Sequence, residues 1–371
     1  MTQAGALFQP FPLFGTTLGN RMAMAPMTRG RIPPSGAPDA LTVDYYTQRA
    51  SAGLIICEGT CPLPGGECSI GVPAIYGDAH VAGWAAVTRS VHEAGGHIAL
   101  QLWHAGRVSS TDWQPDGGSP LGPSAIRAAG ARIRDRTGLA REPDMPREAT
   151  RGEIQRLIDG FAQAARNAVT AGFDGVELHG ANGYLLHQFL SDDANQRSDT
   201  YGGAPANRIR FAIEVAEAVT AAIGAARVGI RISPLSGYQA AKVSDPDRLY
   251  LLLMDELSRI GLAYVHCVEG EPGGARVTDP GDISGFDFVG LRRAFDGAWI
   301  ANNFYDRERA ERAVARGDTD MVSFGRPFIA NPDLVARFRS GKPLAAINPD
   351  TLYAAGGLGY TDYPVLDDAD A

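Results

Sequence analysis

The chain has 371 residues, 44% hydrophobic and 20% charged, with 45 glycines and a formal net charge of −8; the sequence pI is near 5.4. This is enough apolar material for one large core, and single barrels of this length are common. The acidic balance argues against nucleic acid or an anionic membrane as the main partner. No apolar run approaches the roughly 18 residues needed to span a bilayer, and Met1–Phe8 lacks the basic and long apolar regions of a secretory signal, so a cytoplasmic location is expected.

In chain order, short apolar runs fall at Arg21–Pro26, Leu54–Thr60, His97–Trp103, Gly175–His179, Arg227–Ser233, Tyr264–Val268, Ala298–Asn302 and Met321–Gly325. Most are near-continuous rather than alternating, as expected for parallel strands covered on both faces. Between the third and fourth runs, Ile154, Leu157, Ile158, Phe161, Ala165 and Ala168 recur at helical spacing from Glu153 to Ala171, ending at Gly172. Thr150, three residues before Glu153, fits a capping box. Ile209, Ala212, Ile213, Ala216 and Val219 repeat the pattern before Gly224. Eight strands alternating with helices predict an α/β fold, a single-domain (β/α)8 TIM barrel over residues 1–371.

Two Gly- and Pro-rich segments break the rhythm, residues 105–150 after the third strand and 270–287 after the sixth. Loops this long are usually functional, and both are expected to wall the C-terminal mouth rather than link domains. Cys57, Cys61, Cys68 and Cys267 lack a C-x2-C unit, so no metal site is expected. No G-x-G-x-x-G follows a strand with an acidic residue at the required distance, and the P-loop pattern is absent. Redox chemistry would therefore need a cofactor bound by the barrel itself.

The strongest chemical signal is His179-Gly180-Ala181-Asn182-Gly183-Tyr184 at the end of the fourth strand. Two neutral hydrogen-bonding groups followed by a weak acid can hold a carbonyl oxygen and protonate the carbon beside it. Gly180 and Gly183 are expected to let the chain turn so that these side chains converge. A polar loop with a satisfied histidine is the plainer alternative. Other polar residues cluster at strand C-termini, where barrel active sites lie: Pro26-Met27-Thr28-Arg29, Glu58-Gly59-Thr60, Gln101, Trp103-His104, Arg231, Asn302-Asn303 and Gly325-Arg326. Arg231 in an apolar strand needs an anion, from the protein or from a ligand. Gln101 has a plainer use, bonding neighbouring backbone. Asn302, Asn303, Gly325 and Arg326 match the usual barrel phosphate site. From the residues alone, a cofactor-free phosphate-binding lyase or isomerase with His179 as base stays open, as does a flavin-binding protein without turnover.

Five runs carry a resemblance: Asn20 to Arg29, Gln48 to Ile55, Gln101 to Arg107, Phe324 to Pro332 and Gly359 to Pro364, together with the His179 segment. In that order, nearly end to end, they resemble the old yellow enzyme family, FMN-dependent ene-reductases. The resemblance implies non-covalent FMN across the barrel mouth and NADPH or NADH as reductant. It also implies an activated alkene, an α,β-unsaturated carbonyl or nitro compound, as the small-molecule partner, in a monomer or a homo-oligomer.

By the same resemblance, Pro26, Met27 and Thr28 would contact the flavin edge, the Thr28 hydroxyl near its C4 carbonyl and N5, and Gly59 would line the ring. Gln101 would bond the pyrimidine side, and Arg231 would sit near N1 and O2, favouring the anionic reduced flavin. Asn302, Asn303, Gly325 and Arg326 would hold the phosphate region. His179 and Asn182 would grip the substrate oxygen, N5 would give hydride to the β-carbon, and Tyr184 would protonate the α-carbon. Trp103 and Tyr353 would form substrate wall. Thr28, where some members have Cys, resembles the branch of the yeast and enterobacterial enzymes. Three positions depart from the pattern: Ser69 stands where an aromatic wall residue is usual, Phe304 where glycine is usual after the seventh strand, and Ala204 continues Tyr201-Gly202-Gly203.

Overall fold

The structure, a computed structural model, describes residues 5–271, 281, 283 and 285–366. Eight parallel strands close a barrel: β1 (Met22–Met24), β2 (Leu54–Ile56), β3 (Ile98–Leu102), β4 (Gly175–Gly180), β5 (Val228–Ile232), β6 (Tyr264–Val268), β7 (Ala298–Asn302) and β8 (Met321–Phe324). Each pairs with the next, and β8 pairs with β1. All eight predicted strands form, several shorter at their ends. The shortening of β2 has a local cause. Cys57 N–H bonds Ala99 O at 2.9 Å and Thr60 N–H bonds Gln101 O at 2.9 Å. Between them, Glu58 N–H turns away to the Tyr46 hydroxyl at 3.1 Å.

Side chains alternate across each strand. Val176, Leu178, Val228, Ile230 and Ile232 face outward and pack with Leu157, Phe161, Ala165, Phe211 and Val215 of the surrounding helices. The helix predicted from Glu153 spans Arg151–Thr170, and its capping box forms: Thr150 N–H donates to Glu153 Oε2 at 2.9 Å and Glu153 N–H to Thr150 Oγ1 at 3.3 Å. The second helical pattern becomes Arg210–Ile223, preceded by a short turn of helix at Pro205–Arg208.

The N-terminal end of the barrel is plugged by a hairpin, Phe11–Leu13 with Thr16–Leu18, too short to register as strands in the sequence. Leu13 and Leu18 pack with Ala23, Leu54, Ala99, Tyr264, Ile300 and Met321 inside it. The insertion at 105–150 carries two small ladders, Leu121–Gly122 with Arg147–Glu148 and Ile133–Arg134 with Ala140–Arg141. Most of the 270–287 loop lies outside the described residues. Among the described residues, no helix is long and apolar enough to cross a membrane.

Inside the barrel, Gly229 on β5 makes room for the fully buried Tyr264 ring on β6: a Cβ at Gly229 would stand 2.3–2.5 Å from three ring carbons. Gly229→Ala should therefore overpack the interior and cost about 1–3 kcal/mol. The cost would be read as a lower midpoint of denaturant unfolding, and an unchanged midpoint would show that the ring can yield.

Candidate functional site

The barrel floor beneath the mouth is a buried polar chain. Register places Glu177 on β4 beside Gln101 on β3, and Gln101 Nε2 donates to Glu177 Oε1 at 2.7 Å. From β6, Tyr264 OH reaches Glu177 Oε2 at 3.1 Å and His266 Nδ1 lies 2.8 Å from the same oxygen. His266 Nε2 lies 2.7 Å from Ser323 Oγ on β8, and Asn302 Nδ2 donates to that Oγ at 2.8 Å. Arg231 Nη2 donates to Asn302 Oδ1 at 2.8 Å.

One proton arrangement satisfies the whole chain. Arg231 donates to Asn302, Asn302 to Ser323, Ser323 to His266 Nε2, and His266 Nδ1–H to Glu177. Burial pushes the Glu177 carboxyl up, but His266, Arg231 and Gln101 outweigh it and hold the group ionised, below its ordinary range. Burial lowers His266; the Glu177 carboxylate opposes it, but burial together with Arg231 prevails and favours the neutral ring.

Two residues beyond Glu177 on the same inner face, His179 stands at the mouth, paired in register with Arg231. The turn that follows differs from expectation. Gly180 ends β4, with Arg231 O only 3.0 Å from where its Cβ would be, and the turn is made by Asn182 (φ 56°) and Gly183 (φ 73°). Asparagine tolerates this left-handed conformation. Ser233 Oγ accepts Asn182 N–H at 2.9 Å, and His187 Nδ1 accepts Gly183 N–H at 2.8 Å. The turn brings the Tyr184 ring to 5.5 Å from that of His179 and 5.2 Å, edge to face, from that of Trp103. Gly59 lets Trp103 approach, since a Cβ there would meet its Cγ at 3.0 Å.

His179 Nδ1 and Asn182 Oδ1 are buried and have no protein partner. Burial, reinforced by Arg231, holds the His179 imidazole well below its usual pKa, hence neutral. Burial, with Cys68 and Tyr238 adding to it, holds the Tyr184 phenol well above its usual value, hence protonated. The sequence thus brings a neutral imidazole, a carboxamide and a phenol together at the barrel mouth. Unmatched buried polar atoms of this kind are sites where a ligand is expected.

The remaining predicted residues are placed as follows. Pro26 is buried, Met27 half-buried and Thr28 exposed, all directly after β1. The Asn302 carboxamide is spent on Arg231 and Ser323, and Asn303 Nδ2 donates to Glu269 O at 2.8 Å and Glu271 O at 2.6 Å. A phosphate contact from this turn would therefore fall to backbone N–H groups. Asn303 (φ 101°) and Phe304 (φ 52°) keep the left-handed backbone that glycine usually supplies, and Arg326 lies over the Phe304 ring at 5.3 Å. Tyr353 is 62% exposed, its Cδ1 3.8 Å from where a Cβ at Gly30 would stand.

Sequence reasoning missed Glu177, His266, Ser323, Arg107 and Gln239. A charge within an apolar strand, the feature that marked Arg231, also marks Glu177. Gln239 left no such sign, yet its side chain lies beside Tyr184 and opposes the rise that burial gives the phenol.

Comparisons with known proteins place this geometry. Residues 6–345 match the model of the NADH:flavin oxidoreductase / NADH oxidase family. The chain is 40% identical to 12-oxophytodienoate reductase 1 of Oryza sativa subsp. japonica, over 98% of this chain and 94% of the relative. It is 37% identical to 12-oxophytodienoate reductase 2 of Arabidopsis thaliana, over 98% and 97%. Its fold superposes on morphinone reductase with a TM-score of 0.92 at 42% identity, covering 100% of this chain and 98% of the other. It superposes on an old yellow enzyme homologue from Zymomonas mobilis with 0.91 at 40%, covering 97% and 99%. The chain with this barrel is therefore a member of the old yellow enzyme family, an FMN-dependent, nicotinamide-linked reductase of activated alkenes.

Proposed function

We propose that His179 and Asn182 hold the activating oxygen of the alkene substrate and that Tyr184 gives the proton to its α-carbon. The observation that carries this reading is the buried, unpartnered His179 Nδ1, with the Asn182 carboxamide, whose NH2 would be the donor, on the same turn and next to a phenol kept protonated by burial. FMN, when bound, carries two electrons and one hydrogen from NAD(P)H to the β-carbon. Gln101 and Arg231 hold its pyrimidine side. Pro26, Met27, Thr28 and Gly59 line the ring, and Gly325, Arg326 and the backbone at Asn302-Asn303 hold its phosphate end. Arg231 Nε, buried and without a partner, is a donor still to be used, so these residues fit the group.

Neutral donors aimed at an oxygen that gains charge act as an oxyanion hole. Tyr184 then completes the reduction by releasing its proton to the neighbouring carbon, so the substrate gains two electrons and two hydrogens in all. Trp103 orients the Tyr184 ring edge to face, and Trp103 and Tyr353 form substrate wall. The cofactor-free lyase with His179 as base falls with the family assignment. A cytoplasmic location fits a chain that draws on NAD(P)H.

Tyr184→Phe should slow alkene reduction by about 10²–10⁴ in stopped-flow traces while flavin reduction by nicotinamide stays near normal. Equal slowing of both half-reactions would remove the proton-donor role. His179→Ala with Asn182→Ala should abolish the charge-transfer bands that phenols give with the flavin, and bands of undiminished intensity would overturn the oxygen-holding role. Because the imidazole is depressed and the phenol raised, both keep one protonation state from about pH 6 to 9. The alkene half-reaction should therefore show no break near 6.5, whereas a break lost in His179→Ala would show a titrating imidazole.

A further inference from the structure

Glu177 touches neither the mouth nor solvent: it is fully buried on β4, below the residues assigned to the flavin. Yet it is where two of those assignments meet. Gln101 donates to it directly at 2.7 Å. Arg231 reaches it through Asn302, Ser323 and His266, in links of 2.8, 2.8, 2.7 and 2.8 Å. We propose that Glu177 is a positioning residue that sets the redox potential of bound FMN, orienting Gln101 and, through the chain, Arg231, and offsetting the Arg231 charge with its own.

This rests on the reading that Gln101 and Arg231 hold the pyrimidine side of the flavin. The sign follows from charge. A cation below the ring favours electron uptake, and a carboxylate behind the cation opposes it, with an interaction that falls off only slowly in a dry interior. Tyr264 adds a donor at 3.1 Å that screens the carboxylate without contacting the mouth.

The experiment is a dye-coupled reductive titration of the FMN-loaded enzyme. Glu177→Gln keeps the shape and removes the charge. It should raise the two-electron midpoint potential, by about tenfold in the reduction equilibrium or about 30 mV. Tyr264→Phe should lower it, because the carboxylate loses a screening donor. Opposite shifts are not what a loosened barrel would give, since general disorder moves both variants the same way. Should Glu177→Gln fail to fold, Tyr264→Phe still decides: a lower potential supports the proposal, and an unchanged or higher one overturns it.

Arg231→Gln separates the two levels. If it lowers the potential while Glu177→Gln leaves it unchanged or lower, the role of Glu177 is wrong. If Arg231→Gln alters neither the potential nor FMN retention, the placement of the flavin over Arg231 is wrong, and the proposal falls with it.

Discussion

A carboxylate and a guanidinium share the dry interior of this barrel, and most of the site is arranged around keeping them there. The idealised cost of moving one such ion into a medium of low dielectric is on the order of 20 kcal/mol, and several kcal/mol remain after relaxation. Direct contact is one remedy, but here the charges are joined by a relay of neutral groups. Asn302, Ser323 and His266 each accept on one side and donate on the other, so Arg231 ends on an acceptor and Glu177 on a donor. Gln101 and Tyr264 satisfy more of the carboxylate. Seven residues from six strands are thereby fixed relative to one another before any ligand arrives.

Strand parity extends that constraint to the mouth. Glu177 and His179 lie two residues apart on β4 and so face the same interior. A slip of one residue would carry Glu177 among the helices and swing His179 away from Arg231. The same spacing separates the electrostatics into two levels. The ions sit below, while the mouth carries groups that burial keeps neutral, His179 and Tyr184. With the roles proposed above, an oxygen that gains negative charge there would meet donors without displacing a counter-ion, and Tyr184 would still hold its proton.

The barrel was legible because strands covered on both faces read as short apolar runs, and the Thr150–Glu153 box because its partners are three residues apart. The His179, Asn182 and Tyr184 group was legible for the same reason of nearness. The relay was not, since its bonds join residues 21 to 89 positions apart. Only the closed topology brings them together. Gly180 was assigned to the turn from its residue type, but its lack of a Cβ serves the approach of the Arg231 carbonyl instead. Asn302 and Asn303 were read correctly as standing at a strand end, yet alternation and local bonding send their carboxamides elsewhere.

The position of Tyr184 depends on a part of the chain that its composition marks only as a wall. Gln239 (φ 59°) and Ala240 (φ 53°) are non-glycine residues held in the left-handed region, which costs on the order of 1–3 kcal/mol each unless the surroundings fix them. Arg107, fully buried at the start of the insertion after β3, donates to both of their carbonyls, that of Gln239 at 3.1 Å. Its own N–H bonds Gln188 Oε1 at 3.0 Å, and Gln188 Nε2 returns to Ala105 O and Gly183 O at 2.9 and 2.8 Å. Gly183 in turn faces Tyr238 O so closely that a Cβ would stand 2.3 Å away. The first residues of the insertion thus tie the β4 turn to the segment after β5, and Gln239, held by this tie, lies beside Tyr184. A loop read from its composition as an active-site wall is, at its root, the scaffold of the Tyr184 turn.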